Sequence, residues 1–202
     1  MKTILLLNIL SSLILIIAYV PQITELRKTK SAGGVSNLFW VFISLSTSYS
    51  LFNLFVTDAH YYVMITQFFN AVIAFYVLQK VLKLKSKDWL PYLLFYIVVN
   101  LVLYLSFPIE ITQNIATIAI VLAYLDQVYH FVKNKDATGT NPIMYLLFST
   151  ALILLTISMS ISGVHIFIVI TEFTNSVLLL VCLILSIVYR RKVWCVYIVL
   201  SF

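Results

Sequence analysis

Hydrophobic residues run along this chain in long blocks, not at the spacing of a one-sided helix or strand. Seven stretches of about 20 mostly apolar residues, the length that crosses a bilayer, cover 4–26, 37–56, 60–80, 89–107, 111–132, 142–161 and 164–189. Turn-forming or charged residues separate them: Ser31-Ala32-Gly33-Gly34, Thr57-Asp58, Lys85-Ser86-Lys87-Asp88, Pro108, Thr138-Gly139-Thr140-Asn141-Pro142 and Ser162-Gly163. Backbone in lipid must satisfy its own hydrogen bonds, so each stretch is predicted to be a helix. The alternating segments of about 10 residues that mark a membrane β-barrel are absent. The expected fold is an all-α membrane protein of seven transmembrane helices. The tail 193–202 would reach only about 15 Å as helix, too short for a core of about 30 Å, and is expected at the inner interface with Trp194 and Tyr197.

Composition agrees. The chain is 62% hydrophobic and 10% charged, against about 25% charged in a soluble domain. The stretch 1–20 follows Lys2 as a signal peptide would, but no small-residue cleavage site comes after it, so it is read as the first helix. Cys182 and Cys195 suggest packing residues rather than a disulfide framework.

The net charge of +6 comes from cations whose placement sets topology. With the N-terminus outside, the inner segments hold Arg27, Lys28 and Lys30; Lys80, Lys83, Lys85 and Lys87; Lys133 and Lys135; and Arg190, Arg191 and Lys192. Twelve of the 13 basic residues thus fall inside, leaving Lys2. This distribution predicts N-out and C-in in a multi-pass protein, expected in the plasma membrane, and no nucleic-acid partner. Single cysteines at Asp58 and Lys85 should therefore label from opposite faces; labelling of both from one face would overturn the topology.

The chain also matches itself at an offset of 105 positions. Ala18-Tyr19-Val20-Pro21-Gln22 falls on Ala123-Tyr124-Leu125-Asp126-Gln127, and Lys28, Lys30, Ala32 and Gly34 fall on Lys133, Lys135, Ala137 and Gly139. Ile65-Thr66-Gln67-Phe68-Phe69-Asn70 falls on Ile170-Thr171-Glu172-Phe173-Thr174-Asn175. Two three-helix repeats are expected, 1–84 and 109–192, with a linker helix in 85–108 and the tail from 193. Three crossings per repeat plus one linker crossing make the repeats parallel, related by an axis along the membrane normal.

Tyr19-Val20-Pro21-Gln22-Ile23, followed by Lys28-Thr29-Lys30-Ser31-Ala32-Gly33-Gly34-Val35-Ser36, resembles the PQ-loop motif. The superfamily includes SWEET and SemiSWEET sugar transporters, lysosomal amino-acid exporters and KDEL receptors. The second repeat departs from the motif, with Asp126 in place of the proline. The resemblance implies a carrier working by alternating access, with Asn70 and Asn175 lining a midplane substrate site and facing each other across it. It also implies that Tyr49 stands where SemiSWEET-like proteins place a stacking tryptophan; its repeat mate is Leu154. Tyr19, Pro21, Gln22, Tyr124, Asp126 and Gln127 become candidates for gating.

Polar residues inside the stretches add to this. Asn8, Ser12, Tyr19 and Gln22 form a stripe mirrored by Gln113, Thr117, Tyr124 and Gln127, and both are expected to face the interior. Gln67 and Asn70 share a face, as do Glu172 and Asn175, and an amide can both donate to and accept from a polyol or an amino acid. Ser44, Ser46, Thr47, Ser48 and Ser50 are equally well read as small residues permitting close helix approach. Intramembrane acids are costly to ionise, about 2.5–3.5 kcal/mol at the centre, so Glu172 and Asp126 are candidates for proton coupling, Asp126 with Lys133 as partner. His60, His130 and His165 are scattered, no Cys/His metal spacing occurs, and Gly33-Gly34 is a turn, so neither catalysis, metal nor cofactor is expected. The leading expectation is a SWEET-like carrier of a small polar solute. The alternatives are a proton-coupled amino-acid or vitamin carrier, and a non-transporting receptor or scaffold. The lipid bilayer is the expected surrounding partner, and homo-oligomer formation is left open.

Overall fold

The structure is a computed structural model that describes residues 2–57, 61–163 and 166–200. Its elements are α1 (Lys2–Ile17), α2 (Tyr19–Lys28), α3 (Asn37–Val56), α4 (Tyr61–Leu84), α5 (Leu90–Ser106), α6 (Ile109–Asn134), α7 (Pro142–Ile161) and α8 (Ile166–Leu200), with no strand among the described residues. Asp58, His60 and His165 lie outside them.

The first apolar stretch forms two successive helical segments, α1 and α2, which together make the candidate span Thr3–Lys28. The break between them is explained by Pro21, which has no N–H to give the carbonyl of Ile17 and whose ring crowds it. Ala18 at the joint keeps helical dihedrals, and its N–H still reaches Ile14 O at 2.8 Å. Six spans are long and apolar enough to cross a membrane, and α5 is a seventh, shorter apolar helix of 17 residues. At 1.5 Å per residue α5 reaches about 25 Å, slightly less than the core of about 30 Å. Large apolar side chains such as Leu94, Val98 and Leu105 of α5 or Phe173 and Ile184 of α8 are exposed, as a lipid-facing surface requires. The chain is therefore a seven-helix, all-α multi-pass membrane protein.

The α8 backbone stays helical from Ile166 to Leu200, past the expected end of the span at 189. Its 35 residues span about 52 Å, so no bilayer core contains all of it. The side chains from Arg191 onward, Trp194 and Tyr197 included, lie outside the described residues.

Close packing divides the chain into two units, residues 1–36 with 124–202, and residues 37–123. In the first, α1 and α2 lie against α7, and α7 lies along α8. Tyr19 meets Phe148 edge-on at 4.9 Å, and Phe131 meets Tyr145 at 6.1 Å. In the second, α3 lies along α4 and against α5, with Phe52 on Tyr104 at 4.7 Å and Phe75 on Tyr96 at 5.3 Å. The units cut across the sequence repeats: α1 and α2 group with the last helices, while α3 and α4 group with the linker helix α5. The helix α6 divides between them, its last turns from Tyr124 belonging to the first unit.

Candidate functional site

The glutamines of the two repeats are both fully buried and act on loops. Gln22, on α2, donates from Nε2 to Gly139 O at 2.7 Å and accepts at Oε1 from Asn141 N at 2.9 Å. Gln127, on α6, donates to Gly34 O at 2.9 Å and accepts from Ser36 N at 2.9 Å. Gly34 and Gly139, like Ser36 and Asn141, are separated by the repeat offset. Each repeat's glutamine therefore holds the loop that follows the other repeat's first helix. A primary amide suits this role because it offers donor and acceptor side by side, and each loop presents a carbonyl and an N–H two residues apart.

The loops also touch directly. Gly34 N donates to Thr138 O at 2.9 Å. A Cβ on Gly34 would lie 2.4 Å from the Ala137 Cα, and one on Gly139 would lie 2.9 Å from the Ala32 Cα. Gly139 has φ +83°, and Lys135, where α6 ends, has φ +51°; only Gly takes such values freely. His130 Nε2 bonds with Gly33 O at 2.8 Å. Asp136 accepts from Thr138 N and Oγ1 at 2.8 and 2.7 Å, closing the second loop on itself.

Asp126, in the place of the motif proline, accepts a hydrogen bond from Ser36 Oγ. This replaces the expected pairing with Lys133, whose ammonium instead lies over the Tyr129 ring at 5.5 Å. The reason is local: a carboxylate one position before Gln127 meets the same loop that Gln127 holds. Sequence reading missed Ser36 and Asn141 because their repeat positions are not identical, and missed Glu25, which pairs with Arg190 at 2.7 Å.

The helix stripes are corrected in part. Tyr19, Gln22, Tyr124 and Gln127 are buried, but Asn8 is exposed. The buried residues of the first span run from Ser11 through Ala18, Gln22 and Leu26, so Asn8 lies ahead of the buried stretch. Ser11 Oγ donates to Ala151 O at 2.9 Å. At the repeat-equivalent pair, Ser46 Oγ donates to Ala116 O at 2.8 Å, the same contact with donor and acceptor exchanged. The Gln113 side chain lies outside the described residues. The α3 hydroxyls mostly bond their own helix: Ser44 to Trp40 O at 2.7 Å and Thr47 to Ile43 O at 2.8 Å.

The predicted solute-binding residues form two similar local arrangements. On α4, Asn70 is 8% exposed and donates from Nδ2 to Gln67 Oε1 at 3.3 Å, and Gln67 donates to Thr47 O at 2.8 Å. On α8, Asn175 is 1% exposed and donates from Nδ2 to Glu172 Oε2 at 3.5 Å. Among the described residues the Asn175 Oδ1 has no hydrogen-bond partner. Leaving such an acceptor buried and unsatisfied costs about 1–3 kcal/mol. Tyr49 is buried, its ring tilted against Phe52 at 5.9 Å.

In comparison with known protein families, residues 4–60 match the PQ loop repeat. No curated protein and no solved structure matches the chain. The matched segment takes in the first span, Pro21 and Gln22, the first loop and α3. The match, with Gln22 holding its loop in the way described, identifies a PQ loop repeat at residues 4–60.

Proposed function

We propose that this protein is a carrier that moves a small polar solute across its membrane by alternating access, with the repeat-equivalent amides Asn70 and Asn175 as solute-binding residues. The PQ loop repeat at residues 4–60 supports a carrier-like membrane protein rather than an enzyme. The observation that carries the solute site is the buried Asn175 Oδ1, which has no partner among the described residues, an acceptor held ready for a hydroxyl or ammonium. The repetition of the same amide arrangement at Asn70 and Gln67 supports it. A thermal-shift screen of the purified protein against sugars, amino acids and vitamins tests it, because a ligand that binds only the folded state raises its melting temperature. Stabilisation of wild type, lost in Asn175→Ala, is the expected result. A ligand that stabilises both equally would remove Asn175 from the site.

Glu172 favours a second reading, proton-coupled transport of an amino acid or vitamin. Its repeat mate Gln67 bonds a carbonyl of α3, which an ionised carboxylate cannot do, since it has no hydrogen to donate. The chain retains the acid where an amide would satisfy more backbone. Glu172→Gln should keep or raise the melting temperature and flatten the dependence of uptake on pH. Unchanged rate and pH profile would make Glu172 structural and favour facilitated diffusion of a neutral solute.

A further inference from the structure

A cleft of about 620 Å³ opens at the far end of α4, lined by Tyr76, Gln79, Lys80, Lys83, Ser86, Lys87, Asp88 and Trp89. It lies where α4 ends at Leu84 and α5 begins at Leu90. Three lysines against one aspartate leave the lining cationic. Among the described residues none of the three is ion-paired; Lys80 lies over the Tyr76 ring at 5.3 Å. No step of the proposed transport uses them.

We propose that this cleft binds the headgroup of an anionic phospholipid. Its position and surroundings separate a lipid from a free phosphate. The cleft sits at the end of an apolar span, and aromatic residues such as Tyr76 and Trp89 favour the headgroup level of a bilayer. Immediately beyond it, Trp89, Leu90, Leu94 and Ile97 are about half exposed, giving a continuous apolar path along α5 for an acyl chain. A free phosphate would gain nothing from that path. Lysines on flexible stems suit a phosphodiester that arrives in variable poses, and basic pockets between spans on one side of a membrane take up anionic headgroups in this way. Ser86, with φ +53°, turns the chain between the helices and brings Lys87 and Asp88 back to the cleft.

The test is native mass spectrometry of the full chain in detergent, with phosphatidylglycerol and phosphatidylcholine supplied at equal concentration. The expected result is preferential retention of phosphatidylglycerol. The K80Q/K83Q/K87Q variant should reduce that retention roughly tenfold or more, while K28Q/K30Q/K133Q, equal in charge removed, leaves the preference in place. Inorganic phosphate at tens of millimolar should not displace the lipid. Equal retention of the two lipids by wild type would overturn the proposal without reference to any variant. So would undiminished phosphatidylglycerol retention in K80Q/K83Q/K87Q, or displacement by phosphate alone, which would make the cleft a site for free anions.

Discussion

Gly34→Ala is expected to prevent the protein from reaching a stable folded state. Its new Cβ would sit 2.4 Å from the Cα, 2.5 Å from the carbonyl carbon of Ala137 and 2.6 Å from Thr138 N. All three are backbone atoms, so no side chain can rotate away and one loop must move. That movement pulls on the Gly34 O bond from Gln127 and on the Gly34 N bond to Thr138. Overpacking alone costs about 1–3 kcal/mol or more, and each buried group left unpaired adds about 1–3 kcal/mol. Gly139→Ala meets Ala32 at 2.9 Å and a φ of +83°, and should also be severe. Gly33→Ala should be milder, because its nearest neighbour is the end of the Asp136 side chain, which can rotate. Gly163→Ala meets nothing within 4 Å, leaving only the strain of φ +70°. Size-exclusion profiles and apparent melting temperatures should rank the variants in that order. A Gly34→Ala protein as stable as Gly33→Ala would mean that the loops are not in contact.

Asn70→Ala and Asn175→Ala should each lower solute uptake by about a hundredfold or more while leaving yield and melting temperature close to wild type. The two effects separate most clearly at Asn175, whose amide does little for the fold. Among the described residues, Asn175 makes one long bond, 3.5 Å to Glu172, and its oxygen has no partner. Removing that amide also removes an unsatisfied acceptor, so the fold loses little. A solute held by that oxygen would instead lose a buried hydrogen bond, and a site built to pair with a polar group discriminates by large factors when the pairing fails. Asn70 is bonded to Gln67 at 3.3 Å, so its loss should destabilise slightly more. Uptake by both variants within a few-fold of wild type would assign the asparagines to helix packing alone.

Much of this architecture was legible in the chain because lipid permits so few solutions. Apolar length alone located the spans, and the offset of 105 positions exposed the repeat. The same offset picked out Gln22 and Gln127, yet not what they do. Gln22 reaches Gly139 across 117 positions and Gln127 reaches Gly34 across 93, and no local pattern encodes a partner that distant. Ser36 and Asn141 share the offset and the role but not the residue type, so a count of identities passed over them. Asn8 misled because polarity at helical spacing marks a face but not how far along it burial extends, and burial of the first span begins at Ser11. The grouping of α1 with α7 was equally hidden, since chain order favours packing within a repeat and the hydrogen bond from Ser11 to Ala151 crosses between repeats.

The central claim, that this membrane protein carries a solute, is tested most directly by reconstituting the full chain into proteoliposomes. Uptake is then measured for labelled sugars, amino acids and vitamins. The account predicts saturable uptake of at least one class above protein-free liposomes, competed by the unlabelled compound and lost in Asn175→Ala. Uptake no greater than in protein-free liposomes for a compound that stabilises the purified protein would contradict it, leaving a receptor that binds without transport.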